Sequence, residues 1–254
     1  MSRICRLIIG AVLLVPWAAG YAQITPTGVS VGVGAWSQSP SGDMTRDGNT
    51  ADIEDDLQIG SERDVFVWAD LRHPIPVLPR LKLRHTPLAL SGSGSVEDAF
   101  SFGDTTFTVG EEVASEVELD QTDIILYWTP WSLGVDLDLG VNVKVIDGLV
   151  EVERGNGDRE RASFTGPVPM AYARTQAFLP GTGVFGGAEG SLVAYSGNRL
   201  VDVTLRAGYR GGYGLGAFAI EGGWKFHNLR LDDFDGIDAD VTVDGPYLGV
   251  SASF

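Results

Sequence analysis

Residues 134–146 read "GVDLDLGVNVKVI". Val135, Leu137, Leu139, Val141, Val143 and Val145 fall on one side of an extended chain, and Asp136, Asp138, Asn142 and Lys144 on the other. A period of two is the mark of a β-strand with one apolar face. Soluble strands centre near about 5–6 residues, whereas a tilted strand needs about 9–11 to cross a bilayer. This run is long enough to cross. Whether its apolar side meets lipid or a soluble core decides the fold.

The same logic recurs along the chain. Val201, Val203, Leu205, Ala207 and Tyr209 oppose Asp202, Thr204, Arg206 and Arg210. Phe218, Ile220, Trp224 and Phe226 oppose Glu221, Lys225 and His227. Ten such runs are legible, near 27–38, 62–72, 80–90, 116–128, 134–146, 164–178, 184–195, 200–210, 215–229 and 241–254. Two fit less well. The apolar phase slips around Gln121-Thr122-Asp123, and Pro87 interrupts pairing in the third run. If two runs are loop hairpins, eight strands remain.

A soluble sandwich also alternates, so the connections and the compartment must arbitrate. Short connections (73–79, 129–134, 179–183, 210–214) alternate with long ones (39–61, 91–115, 147–163, 231–240), with a tight "SGNR" (196–199) as the exception. Short turns on one side and long loops on the other is the outer-membrane barrel plan. The start, "MSRICRLIIGAVLLVPWAAGYAQ", has Arg3 and Arg6 before an apolar run from Leu7 to Trp17, then Gly20-Tyr21-Ala22. It reads as a secretory signal peptide over residues 1–22, leaving a barrel domain over 23–254. The sole cysteine, Cys5, leaves with that peptide. The expected fold class is all-β, a closed antiparallel transmembrane β-barrel. It would be exported to the outer membrane of a Gram-negative envelope, where closure pairs every backbone group.

Charge narrows the function. The net charge is −16, and loss of Arg3 and Arg6 takes it to −18. Nucleic-acid binding needs a basic footprint and is excluded as a partner class. The last long loop holds Asp232, Asp233, Asp235, Asp238 and Asp240. A hydrated acidic rim explains them. The sharper alternative is a site for Ca²⁺ or Mg²⁺, which take hard oxygen ligands and would bridge lipopolysaccharide phosphates. No other cofactor is expected. The inward faces mix signs: Asp136, Asp138, Lys144, Arg174, Asp202, Arg206, Glu221 and Lys225, with Asp64, Asp70, Arg72, Lys82, Arg84, Glu118 and Arg210 as further candidates. Opposite charges in a narrow interior are expected to pair and fill it.

Catalytic signals are sparse. There are three histidines, His73, His85 and His227. His227 with Asp232 and Ser196 is the one hydrolase constellation to consider, and nothing in its spacing supports it. The Asp-x-His element of omptin proteases and the serine motif of outer-membrane phospholipase are both lacking. Zinc would need more Cys or His. The expected role is non-enzymatic, structural or surface-interacting. The alternatives are a narrow passive channel and a hydrolase using a rim histidine.

The turn "HPIPVLP" (73–79), "FTGPVPMAYAR" (164–174), "DVTLRAGYR" (202–210) and the ending "DGPYLGVSASF" (244–254) together resemble a family of small proteobacterial outer-membrane β-barrel proteins, sometimes catalogued under a GlyGly label. The resemblance implies a single-chain barrel exported through the periplasm, and no reaction. Phe254, Ala252, Val250 and Leu248 would form the lipid face of the closing strand. A terminal aromatic after alternating apolar residues also resembles the signal read by the barrel assembly machinery. That machinery and periplasmic chaperones are the partners expected during biogenesis, with outer-membrane lipid and lipopolysaccharide afterwards.

Overall fold

Valine, leucine and aromatic residues at every second position favour pleated strands over helices, and the chain forms strands almost throughout. The computed structural model describes residues 28–46, 49–53, 60–95, 100–102, 105–154, 159–212, 216–234 and 237–254. The expected signal peptide, 1–22, lies outside them. The strands are β1 (Gly28–Arg46), β2 (Asn49–Asp52), β3 (Glu62–Arg72), β4 (Arg80–Thr86), β5 (Ala89–Ser95), β6 (Phe100–Phe102), β7 (Thr105–Phe107), β8 (Glu112–Leu133), β9 (Val135–Arg154), β10 (Arg159–Phe178), β11 (Val184–Tyr195), β12 (Asn198–Gly211), β13 (Ala217–Phe234) and β14 (Ile237–Ser253).

Each wall strand pairs antiparallel with its sequence neighbours, and β14 pairs with β1 to close a ten-stranded barrel. β4 and β5 together make one wall strand, both pairing β8. The break between them falls at Pro87, which has no backbone N–H to give. It is stitched by Gln38 Nε2 donating to the Pro87 carbonyl (2.9 Å) and Leu119 N donating to that of Leu88 (2.7 Å). β2 extends the wall beside β1, and β6 pairs only β7. At the seam, Val29 N donates to Phe254 O (3.1 Å) and Phe254 N to Val29 O (2.9 Å). Gly134, at φ +75°, makes the tight turn from β8 to β9. Gly32 is needed for another reason: a Cβ there would lie 2.2 Å from the Trp68 ring that packs over it.

The apolar outward face is a belt. Val29, Val31, Val67, Leu71, Ile124, Leu126, Leu139, Val141, Leu205, Ile220 and Val250 all point out and are exposed, Val141 by 50% and Leu248 by 71%. A soluble protein does not leave so much contiguous apolar surface to water. Lipid is the solvent that fits, and the chain is a transmembrane β-barrel. Phe254 is 72% exposed on the same side of β14 as Leu248 and Val250, with Ala252 between them.

Above the belt the wall turns inside out. In β8 the odd-numbered residues point inward from Val113 to Thr129, up to a register shift between Trp128 and Trp131 that turns Trp131 and Leu133 outward. Below Gln121 the outward set is Ile124, Leu126 and Trp128; above it the outward set is Glu112, Glu116, Glu118 and Asp120, while Val113, Val117 and Leu119 face in. The apparent slip at 121–123 is therefore no slip. Through this stretch the phase is constant and the polarity of the two faces exchanges. Glu118, expected inside, is outside for this reason. β9 switches at the same height, from outward Val145 to outward Asp147, which pair with Thr122 and Asp120 of β8. β14 repeats it, with Ala239 and Val243 buried inside and Asp238 and Asp240 outside.

This inversion corrects the expected long connections. Residues 39–46, 91–95, 112–115, 147–154, 159–163, 231–234 and 237–240 are strand, not loop. Polar residues that alternate with buried apolar ones beyond the lipid read as loop when only the lipid-facing phase is followed.

Candidate functional site

The inward residues of the belt are short of apolar side chains and rich in charge, so the interior is a polar space. Ten strands bring those charges to common heights, and a chain of alternating sign results. Glu189 of β11 accepts two bonds from Lys82 Nζ (2.6 and 2.8 Å) and one from Arg84 (3.0 Å). Arg84 Nε reaches Asp123 (2.9 Å), whose other oxygen meets Lys144 (3.0 Å) and Asn142 Nδ2 (2.7 Å). Lys144 continues to Asp202 (3.0 Å) and to Gln121 (2.7 Å), and Asp202 meets His227 Nδ1 (3.1 Å). Six strands contribute to this one chain. All its members are at most 8% exposed. Charges held this far from water must be paired, since an isolated one costs several kcal/mol, on the order of a whole domain's marginal stability.

Nearer the short-turn end, Arg174 is clamped between Asp138 (2.5 Å) and Asp70 (3.2 Å). Its guanidinium lies 4.9 Å from the Tyr127 ring centre, and Tyr127 donates to Asp70 (2.6 Å). Asp138 also accepts from Thr129, and Asp136 from Ser132, both at 2.5 Å. Arg206 donates to Gln176 (2.7 Å) and lies 3.9 Å from Glu221, which accepts from Tyr247 (3.2 Å). Lys225 differs. Among the described residues it makes no ion pair; it is 1% exposed, with Phe66, Trp36 and Tyr247 ring centres 4.2, 5.4 and 5.8 Å from its Nζ. At the loop end, Trp36, Phe66, Leu88, Leu90, Ile53, Val243 and Tyr247 form an apolar cluster over the charged layer.

Sequence reasoning missed Asp123 and Glu189. Asp123 sits where the polarity of β8 inverts; the outward phase of Ile124, Leu126 and Trp128 was the signal that points it inward. Glu189 lies in "GGAEG" (186–190), where no apolar alternation surrounds it.

His227 is not at the rim. β13 runs on to Phe234, which leaves His227 inside, 8% exposed, its ring centre 4.9 Å from that of Trp36. Its carboxylate partner is Asp202, not Asp232. Asp232 lies beside the 196–197 turn, its N–H donating to Asn198 Oδ1 (3.1 Å). Of the expected cation ligands, Asp240 accepts from Asn228 (2.8 Å) and lies 3.9 Å from Arg230. Asp238 is exposed and already has a partner. Asp235 is outside the described residues, and the side chain of Asp233 is too. Among the described residues no three His, Cys, Asp or Glu gather as metal ligands.

No family model and no curated protein matches the chain. Among solved structures it is similar to the outer membrane protease OmpT of Escherichia coli, at 9% identity over 92% of this chain and 100% of that one, with a TM-score of 0.51. It also matches the translocator domain of the autotransporter NalP from Neisseria meningitidis (12% identity, 91% and 90% coverage, TM-score 0.44). A third match is the attachment invasion locus protein Ail of Yersinia pestis (9%, 91% and 100%, 0.38). At such identity the OmpT likeness shows the fold: an outer-membrane-type β-barrel.

Proposed function

We propose that this chain is an integral protein of the Gram-negative outer membrane with a filled, non-conducting lumen and a structural or surface-interaction role, and that it is not an enzyme. The carrying observation is the continuous chain from Lys82 through Glu189, Arg84, Asp123, Lys144 and Asp202 to His227, roofed by the Trp36–Leu88–Val243 cluster. A selective pore favours a ring of one sign around open water; here both signs interlock across the section. The hydrolase alternative is weakened by His227, which faces Asp202 and packs on Trp36 inside the wall. The motifs quoted from 73–79, 164–174, 202–210 and 244–254 agree with membership of the GlyGly-labelled barrel family.

Its outer partners would be lipid and lipopolysaccharide. The carboxylate-covered wall above the belt would meet lipopolysaccharide phosphates through bridging Ca²⁺ or Mg²⁺. Biogenesis would use periplasmic chaperones and the barrel assembly machinery. The direct test is conductance of the refolded protein in a planar bilayer. The expected trace is flat at all voltages the bilayer tolerates. Steady single-channel steps that grow with salt would replace this reading with the channel.

A further inference from the structure

At the short-turn end the lumen opens into a vestibule of about 80 Å³. A water molecule's share of liquid is about 30 Å³, so the space suits a small solute group and no extended chain. Its walls carry Arg72, Arg80, Arg174 and Arg210 against Asp136 and Asp138, in a chain whose net charge is −16. Composition alone would not put arginine in excess here.

The distribution of partners matters more than the count. Both carboxylates are already engaged: Asp138 by Arg174 and Thr129, Asp136 by Ser132. Arg174 is satisfied by two carboxylates. Arg72 is not. Its contact is a loose 3.6 Å pair with Asp70, which already serves Arg174 and Tyr127, and its Nε is buried with no acceptor among the described residues. Arg210 makes no ion pair among the described residues; its guanidinium lies 5.2 Å from the Phe178 ring centre. Two guanidinium forks at one mouth thus hold uncommitted donors.

We propose that this vestibule binds one small soluble oxyanion, a phosphate or a carboxylate, through Arg72 and Arg210. The planar guanidinium fork matches such groups with two parallel charge-assisted bonds. Phe178 holds the Arg210 plane in place, so little freedom is lost on binding. The strand residues that line the mouth are inward-facing, so the site opens along the barrel axis to the aqueous side, not through the wall to lipid headgroups. The acidic loop end lies opposite, so the barrel is polarised to receive anions at this mouth alone. The proposal goes beyond the filled-lumen reading and needs only the barrel.

The test uses the refolded chain in neutral, lipid-free detergent. Inorganic phosphate is titrated at constant ionic strength, with chloride as the balancing ion. Phosphorus NMR line width and the gel-shift unfolding temperature are read. Saturable binding in the millimolar range is expected in the parent protein. Arg210→Gln should weaken it about tenfold, while Arg161→Gln on the outer surface leaves it unchanged. The proposal is overturned by a parent protein that shows no saturation. It is equally overturned by equal binding in Arg210→Gln, or by a response that needs added phosphatidylglycerol. The measurement on the parent protein stands even if the variant refolds poorly.

Discussion

Replacing Glu189 with alanine should destabilise the barrel by about 3–5 kcal/mol, the usual cost of stripping one partner from a buried ion pair. Glu189 is 5% exposed and holds two cations, Lys82 and Arg84. Its loss leaves Lys82 without the carboxylate it touches, facing a like charge. Arg84 keeps Asp123. The damage should therefore be concentrated in Lys82, and Glu189→Ala combined with Lys82→Met should recover a large part of it. The check is urea unfolding of both variants in lipid vesicles, followed by tryptophan fluorescence and gel mobility. A single-variant loss below about 1 kcal/mol would mean that water reaches this layer and that the lumen is wetter than the packing implies.

The second large effect concerns the wall. Leu139→Arg should cost about 2–4 kcal/mol, the penalty for a charged side chain on the lipid face near the midplane. Leu149→Arg should cost about 0–1 kcal/mol. Both residues lie on the outward face of β9, and both are leucine. They differ in height: Leu139 lies within the Val135–Val145 belt, and Leu149 lies beyond Asp147 beside Glu118. The same unfolding assay measures both. Equal costs would put Leu149 in hydrocarbon and erase the inversion of the wall.

The belt was readable because lipid imposes one rule on every strand, apolar out, and "GVDLDLGVNVKVI" shows it without exception. Strand number followed less cleanly: eight segments obey it, and the runs at 80–90 and 116–128, which depart from it at Pro87 and at 121–123, are wall strands too. The upper wall was not readable by that rule. Beyond Asp120 and Asp147 the solvent changes, and the same pleat then needs the opposite pattern. Val113, Val117, Ala239 and Val243 alternate as faithfully as Val135–Val145, but with the apolar phase reversed. The charge chain was half readable. Lys144, Asp202 and Lys225 declare their inward phase through flanking apolar neighbours. Glu189 does not, and no periodicity tells which cation will stand opposite. That pairing depends on register across strands distant in sequence, such as β4 and β11. Lys225 shows the limit: it was expected in an ion-pair network and is housed by three aromatic rings.

The inverted wall also separates what makes the barrel stable from what makes it slow to form. The belt fixes the depth of the energy well. The upper half of β8 and β9 carries Glu112, Glu116, Glu118, Asp120 and Glu153 on its outside, and all of them must cross the hydrocarbon before the hairpin reaches water. A charge at the centre of a bilayer costs at least about 2.5 kcal/mol, so that passage is expected to dominate the insertion barrier. Folding into thicker, defect-free vesicles should slow steeply while the equilibrium stability changes little. Neutralising Glu116, Glu118 and Asp120 together should speed insertion and unfolding by similar factors and leave the equilibrium stability nearly untouched. A triple variant that inserts no faster would show that the hairpin does not travel through the lipid unaided.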